Sequence, residues 1–222
     1  MCTNYEPAQG DLFEAFTDFP VPQFEYPRET YKDYVAPILR MTTGERSTDP
    51  ATFAMVPRKH IPPGVKAFDT MNARAETIGE KRSFSTSWKK LQLCLIPCSW
   101  FYEPNYESGK AERWRIGVGR PFALAGLWRA WQDPEGMTLS FTMLTVNADQ
   151  HPLMKRFHKP GAEKRSVIIL RPDQWDDWMS SRSTDEARSF LNLYPADEMA
   201  AEAWPAPPRK QNSLLSNNPT LI

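Results

Sequence analysis

The chain has 222 residues, 27 Lys plus Arg against 27 Asp plus Glu, and no formal net charge at pH 7. With 41% hydrophobic residues and 12% aromatics, eight of them Trp, it carries too much apolar side chain for a disordered protein. Its 21 prolines and lack of long periodic stretches exclude a simple helical bundle and point to a loop-rich α+β domain of short strands.

Three cysteines, an odd number, suit a reducing compartment better than a disulfide framework. No apolar run approaches the ~18 to 20 residues that span a bilayer. The start, MCTNYEPAQG, has neither the basic stretch nor the apolar core of a signal peptide. The expectation is a cytoplasmic, monomeric protein, away from membranes.

In chain order, Asp11 to Phe19 reads as a helix, with Leu12, Phe13, Phe16 and Phe19 at helical spacing and Asp11 with Glu14 as its cap. From Pro20 to Pro63 only short extended segments stand out, YVAPILRM and TFAMVP. Strands are expected at Leu91–Pro97, Arg113–Val118, Phe122–Trp128, Thr138–Val146 and the continuous apolar run Val167–Leu170. Helices are expected over Pro172 to Ser180 and Thr184 to Leu191, the second opened by a capping box from Ser183 to Glu186. Residues 1–204 read as one domain and 205–222 as an extended or disordered tail.

Charge is unevenly placed. Residues 81–130 hold nine basic and three acidic groups, a balance of +6, and residues 151–171 hold six against one, or +5. Residues 1–50 come to −5 and residues 172–222 to −4. Charge runs are often only solvated faces; the sharper reading is a basic groove for an anion such as a nucleic-acid backbone, with the acidic ends facing away.

Cys2 is the most suggestive position. Removal of Met1 leaves an N-terminal cysteine with two nucleophiles on adjacent carbons, a thiol of pKa ~8.5 and an amine of pKa ~7.7 to 8.0. An aldehyde meeting them forms a Schiff base with nitrogen and closes through sulfur to a thiazolidine; an acyl group is instead attacked by the thiolate. Cys94 and Cys98, with His60, His151 and His158, invite a metal site. Four residues along a strand span roughly 13 Å at ~3.3 Å each, against the ~4 Å between two ligands of one zinc, so buried inert thiols are expected. In Met71-Asn-Ala-Arg-Ala-Glu-Thr77, Asn72 offers donor and acceptor, Arg74 a fork for phosphate and Glu76 a partner to hold that arginine. Glu103 closes the aromatic run Trp100-Phe-Tyr-Glu103; desolvation there raises a carboxyl pKa toward proton transfer, and an edge glutamate in solvent is the plain alternative. His158, in the basic run Lys155-Arg-Phe-His-Lys-Pro160, is a usable acid/base, though lone histidines are more often structural.

In order, Cys2, NARAET, CLIP followed by FYE, FALAGLW, SFTMLT and a histidine before VIIL resemble the SOS response-associated peptidase (SRAP) family, from Cys2 to about Leu170. The resemblance implies a pseudo-barrel of bifurcated β-sheet with flanking helices, and a basic groove for single-stranded DNA in which abasic sites become covalently crosslinked. It implies Cys2 as the nucleophile that forms a thiazolidine with the ring-opened sugar. Asn72 would hold the Cys2 terminus or the sugar, Glu103 would move protons, His158 would assist ring opening and Arg74 would contact phosphate. This chemistry needs no metal and no cofactor. Departures are Cys2-Thr3-Asn4 where the family opens with Cys-Gly-Arg, Pro104 in place of a tryptophan, PGAEKRS in place of a short Arg-Met-Pro link, and FAMVP in place of Trp-Gly-Leu-Ile-Pro. His151 is the fallback for the histidine role. Two further readings stay open, an N-terminal-nucleophile cysteine amidohydrolase and a non-catalytic single-strand-binding accessory protein.

Overall fold

The computed structural model describes residues 2–206; the fate of Met1, and the expected tail beyond residue 206, lie outside the described residues. The larger sheet closes on itself. β3 (Val35–Thr42) and β4 (Glu45–Phe53) form a hairpin, and β4 runs parallel to β10 (Gly136–Asn147). β10 pairs antiparallel with β9 (Phe122–Asp133), β9 with β6 (Leu93–Cys98), and β6 returns to β3 at Leu39↔Leu95. This is a closed five-strand barrel with flanking helices.

Where β6 runs beside the first half of β9, the barrel wall is buried on both faces. Cys94, Ile96, Leu124 and Phe141 turn to a core shared with Cys2, Tyr5 and Phe101. The alternate residues Leu93, Leu95, Ala123, Ala125 and Leu127 face a second core with Phe13, Phe16, Trp88 and Trp178. That is why LQLCLIP and FALAGLW read as continuous apolar runs rather than alternating ones. Within FALAGLW, Gly126 is set by close approach: a Cβ there would lie 2.8 Å from Ile96 Cδ1 and 2.9 Å from Cys94 Sγ.

Bifurcation occurs at Ile168. β11 (Arg165–Val167) pairs with β10, and β12 (Ile169–Leu170) pairs with β9. Between them the Ile168 N–H donates to Leu144 O at 3.1 Å, and its carbonyl accepts from Ala125 N at 2.9 Å. The run Val167–Leu170 is therefore two short strands on different neighbours. β5 (Asn72–Arg74) adds in parallel to β10.

A second, antiparallel sheet has the order β13 (Ala200–Ala203), β8 (Glu112–Gly117), β7 (Trp100–Asn105), β1 (Asn4–Glu6), β2 (Thr30–Tyr31). Short helices α1 (Ser85–Lys89), α2 (Trp175–Met179) and α3 (Thr184–Ser189) flank the assembly. Ser183 Oγ accepts from the Glu186 N–H at 3.1 Å, while the Glu186 carboxylate takes the Arg182 N–H, one residue ahead of the expected reciprocal partner.

Two expectations are corrected. The first helix is 3-10 over Gly10–Phe16, with Gln9 at its N-cap and no side-chain cap; Asp11 lies inside its first turn. The stretch 20–63 contains one of the longest hairpins of the chain, turning at Thr43-Gly44 with φ +52° and +83°, the left-handed pair that suits strand twist. Its polar second arm, ERSTDPATF, concealed it. Pro37 and Pro50 face each other, so both missing N–H groups fall at one non-hydrogen-bonded pair.

Candidate active site

Four of the five singled-out residues come from different elements and converge where the two sheets meet. Cys2 leads into β1, whose register against β7 (Tyr5↔Phe101, Glu6↔Trp100) carries residue 2 toward Glu103 and Pro104. Asn72 opens β5 on the larger sheet, opposite Met143, and its Nδ2 donates to the Cys2 carbonyl at 2.7 Å. Cys2 is thus anchored by its backbone carbonyl. Asn72 Oδ1 is buried with no hydrogen-bond partner among the described residues.

Cys2 is fully buried and its thiol donates to Asn4 O at 3.2 Å. Desolvation pushes this thiol up to about 12, and the Glu103 carboxylate pushes the same way, while backbone contacts at Tyr102 and Asn4 pull it down. At neutral pH the thiol is therefore protonated. Cys94 and Cys98, on β6, are also buried, and desolvation raises both.

Glu103 is 3% exposed and is no edge glutamate in solvent. Its Oε2 lies 3.1 Å from His158 Nε2. Pro104, next in the chain, accepts the His158 N–H at 2.9 Å, and Asn105 bridges to Phe157. Asn105 Nδ2 also donates to Arg156 O at 3.2 Å, and Arg156 grips Glu107 through two bonds of 2.9 and 2.8 Å. The end of β7 and the segment 156–158 are clamped together. His151 is held differently: Nε2 lies 2.8 Å from Tyr194 O and Nδ1 accepts from Met154 N at 3.0 Å. Both ring nitrogens are occupied by backbone, so His151 is structural and only His158 stands beside Glu103.

Arg74 sits apart from this group, with its side chain 48% exposed. Its partner is not Glu76. Arg74 Nη1 pairs with Glu163 at 2.6 Å, while Glu76 grips buried Arg165 at 3.0 and 2.8 Å. Glu163 also binds Arg165, at 2.7 Å. Within residues 81–130, Arg113 is similarly engaged by Glu29 and Arg115 by Glu202. The acidic N-terminal third does not face away either. Glu29 accepts from Asn4, Tyr31 and Arg113, and Glu6 takes the Tyr102 hydroxyl. Thr3, Asn4, Tyr102, Glu103, Pro104 and Arg113 line a cleft of about 260 Å³ at the edge of the site.

Sequence reasoning missed β7, the Asn105–Glu107–Arg156 clamp and the loop contacts of Glu163 and Lys164. The signal for the last two was PGAEKRS, whose charged run Glu163-Lys-Arg165 was visible but whose targets were not. Among the described residues, no cluster of three His, Cys, Asp or Glu could hold a metal ion, and no helix is long and apolar enough to cross a membrane.

A sequence model of the family described as SOS response associated peptidase (SRAP) matches residues 9–208. Abasic site processing protein YoqW of Bacillus subtilis (strain 168) is 32% identical over 171 residues, covering 73% of this chain and 72% of that protein. Abasic site processing protein YobE of the same organism is 33% identical, covering 73% of this chain and 71% of its own length. The crystal structure of a Bordetella bronchiseptica protein aligns with a TM-score of 0.81 at 32% identity, over 92% of this chain and 100% of that one.

Proposed function

The chain belongs to the SOS response-associated peptidase family, and from that membership we propose that it processes abasic sites in single-stranded DNA by forming a covalent crosslink through Cys2. The observation that carries the reading is the convergence of Cys2, Asn72, Glu103 and His158 at one junction, with Asn72 on the Cys2 carbonyl at 2.7 Å and His158 on Glu103 at 3.1 Å. Abasic-site processing, for which those relatives are named, supplies the substrate class.

The chemistry follows from these groups. An abasic sugar is mainly a closed hemiacetal, so its C1′ hydroxyl must lose a proton as the ring oxygen gains one. His158 Nε2 is the group for that transfer, with Glu103 beside it to receive or return the proton. After Met1 removal, the neutral Cys2 amine adds to the C1′ aldehyde. Glu103 protonates the departing hydroxyl, one water leaves and a Schiff base remains. Cys2 sulfur then adds to the same carbon, its proton passing to nitrogen, and a five-membered thiazolidine closes. Two hydrogens and one oxygen leave as water, and nothing is oxidised or reduced. Asn72 holds the Cys2 backbone so that amine and sulfur reach one carbon.

A thiol pushed up to about 12 also favours this order. Attack on an amide needs the thiolate first, whereas here the amine acts first and the protonated thiol closes an activated imine. Arg74, with its side chain about half exposed, serves the DNA backbone.

The deciding experiment incubates protein verified by intact mass to begin at Cys2 with a single-stranded oligonucleotide holding one abasic site. A heat-stable adduct on a denaturing gel, formed without borohydride and lost in Cys2→Ala, is expected. Undamaged strands bound with no adduct would instead mean a non-covalent binding protein.

A further inference from the structure

We propose that Lys164 is the positioning residue for His158, holding its backbone so that the ring stays on Glu103. The inference rests on the ring-opening role given to His158 above. His158 has φ +66°, a left-handed conformation that is unfavourable for a non-glycine residue and persists only when surrounding contacts enforce it. The ring offers no directed hydrogen bond to enforce it. Neither ring nitrogen makes a well-directed hydrogen bond among the described residues, and the contact with Glu103 is an approach of 3.1 Å.

The backbone is held on both sides instead. On one side the His158 N–H donates to Pro104 O at 2.9 Å. On the other, the Lys164 ammonium donates to the carbonyls of His158 at 3.2 Å and Lys159 at 3.0 Å. Two consecutive carbonyls turned toward one ammonium define the peptide plane after His158, and hence the direction in which its side chain leaves the backbone. Lys164 is itself anchored: its N–H donates to Asp149 Oδ1 at 2.7 Å, and its carbonyl accepts from Ala148 N at 2.8 Å. Its position is therefore referred to the end of β10, and through β10 to Asn72 on β5. Without the ammonium, the 158–159 carbonyls turn to water, the segment relaxes to negative φ and Nε2 leaves Glu103.

The test compares wild type, Lys164→Met and Lys164→Arg on two oligonucleotides, one with an abasic site and one with a linear aldehyde on a flexible linker that needs no ring opening. Loss of positioning slows capture of the abasic site by about tenfold or more, leaves capture of the linear aldehyde within about twofold, and is largely restored by arginine. Thermal unfolding of each variant accompanies the rates. If Lys164→Met does not fold, Lys164→Gln replaces it, with the same divergence between substrates expected. Equal slowing on both substrates, or no slowing on either, overturns the inference while leaving covalent capture intact. Wild type that captures neither substrate removes covalent capture itself, and this inference with it.

Discussion

Asn72 Nδ2 donates a 2.7 Å hydrogen bond to the carbonyl oxygen of Cys2, across 70 residues of sequence. It ties the segment leading into the first strand of the smaller sheet to β5 of the larger one, so Cys2, the proposed nucleophile, is placed by a residue of the other sheet. Asn72→Ala leaves that carbonyl unpaired, at a cost of about 1 to 3 kcal/mol in stability. Adduct formation slows by about tenfold or more, because sulfur and nitrogen no longer share an approach to one carbon. Gel-resolved adduct rates and urea unfolding of the same preparation check both numbers.

The three buried thiols predict alkaline sensitivity. Below its ordinary 9.0 the Cys2 thiol is protonated in folded and unfolded chains alike, and its full contribution to stability is present. Above 9.0 the unfolded chain ionises and the folded one does not until about 12. Stability therefore falls with rising pH through that window, by about 1.4 kcal/mol per unit for one thiol. Urea midpoints should hold below 9.0 and drop between 9.0 and about 12. Cys2→Ala should flatten the decline, and parallel curves for the two proteins would contradict the assignment.

His158 couples function to strain. Its φ of +66° is open to glycine and unfavourable for alanine, so His158→Gly should be more stable than His158→Ala by about 1 kcal/mol. Both should be slow on abasic sites, since both lose the ring beside Glu103. Denaturant unfolding ranks the pair, and equal stabilities would mean that the left-handed backbone carries no cost here.

Glu163 occupies Arg74 at 2.6 Å and competes with phosphate for it. Glu163→Gln frees the guanidinium, while Arg165 keeps its two bonds to Glu76. Binding to undamaged single strands should tighten, and the slope of log affinity against log salt should steepen by about 0.7, the value for one added phosphate contact. Fluorescence anisotropy across a salt series reads both. An unchanged slope would place Arg74 away from the DNA backbone.

Much of the larger sheet was legible because its strands are locally marked. Leu93–Cys98, Phe122–Asp133 and Gly136–Asn147 are apolar on one or both faces over lengths that no turn interrupts. β7 was not legible: it follows β6 after the single residue Ser99 and holds Pro104, so its pattern reads as a loop. Arg74 and Glu76 looked like partners because they are neighbours in sequence. Their actual partners, Glu163 and Arg165, arrive 89 residues later, on the loop before β11 and on β11 itself.

Legible in the amino acids alone are a strand-rich α+β domain, a family resemblance carried by NARAET, CLIP…FYE and Cys2, and the uneven placing of 27 positive and 27 negative charges. Those are local quantities: periodicity, composition and the order of motifs. Folding alone closes β3, β4, β6, β9 and β10 into a ring, brings His158 rather than His151 to Glu103, and pairs Arg113, Arg115, Arg156 and Arg165 with carboxylates. The physical reason is register. Where one strand lies against another is set by the sum of many non-local contacts, and a shift of one residue turns every side chain to the opposite face. A motif can name Cys2, Asn72, Glu103 and His158, but their distances are properties of two sheets meeting.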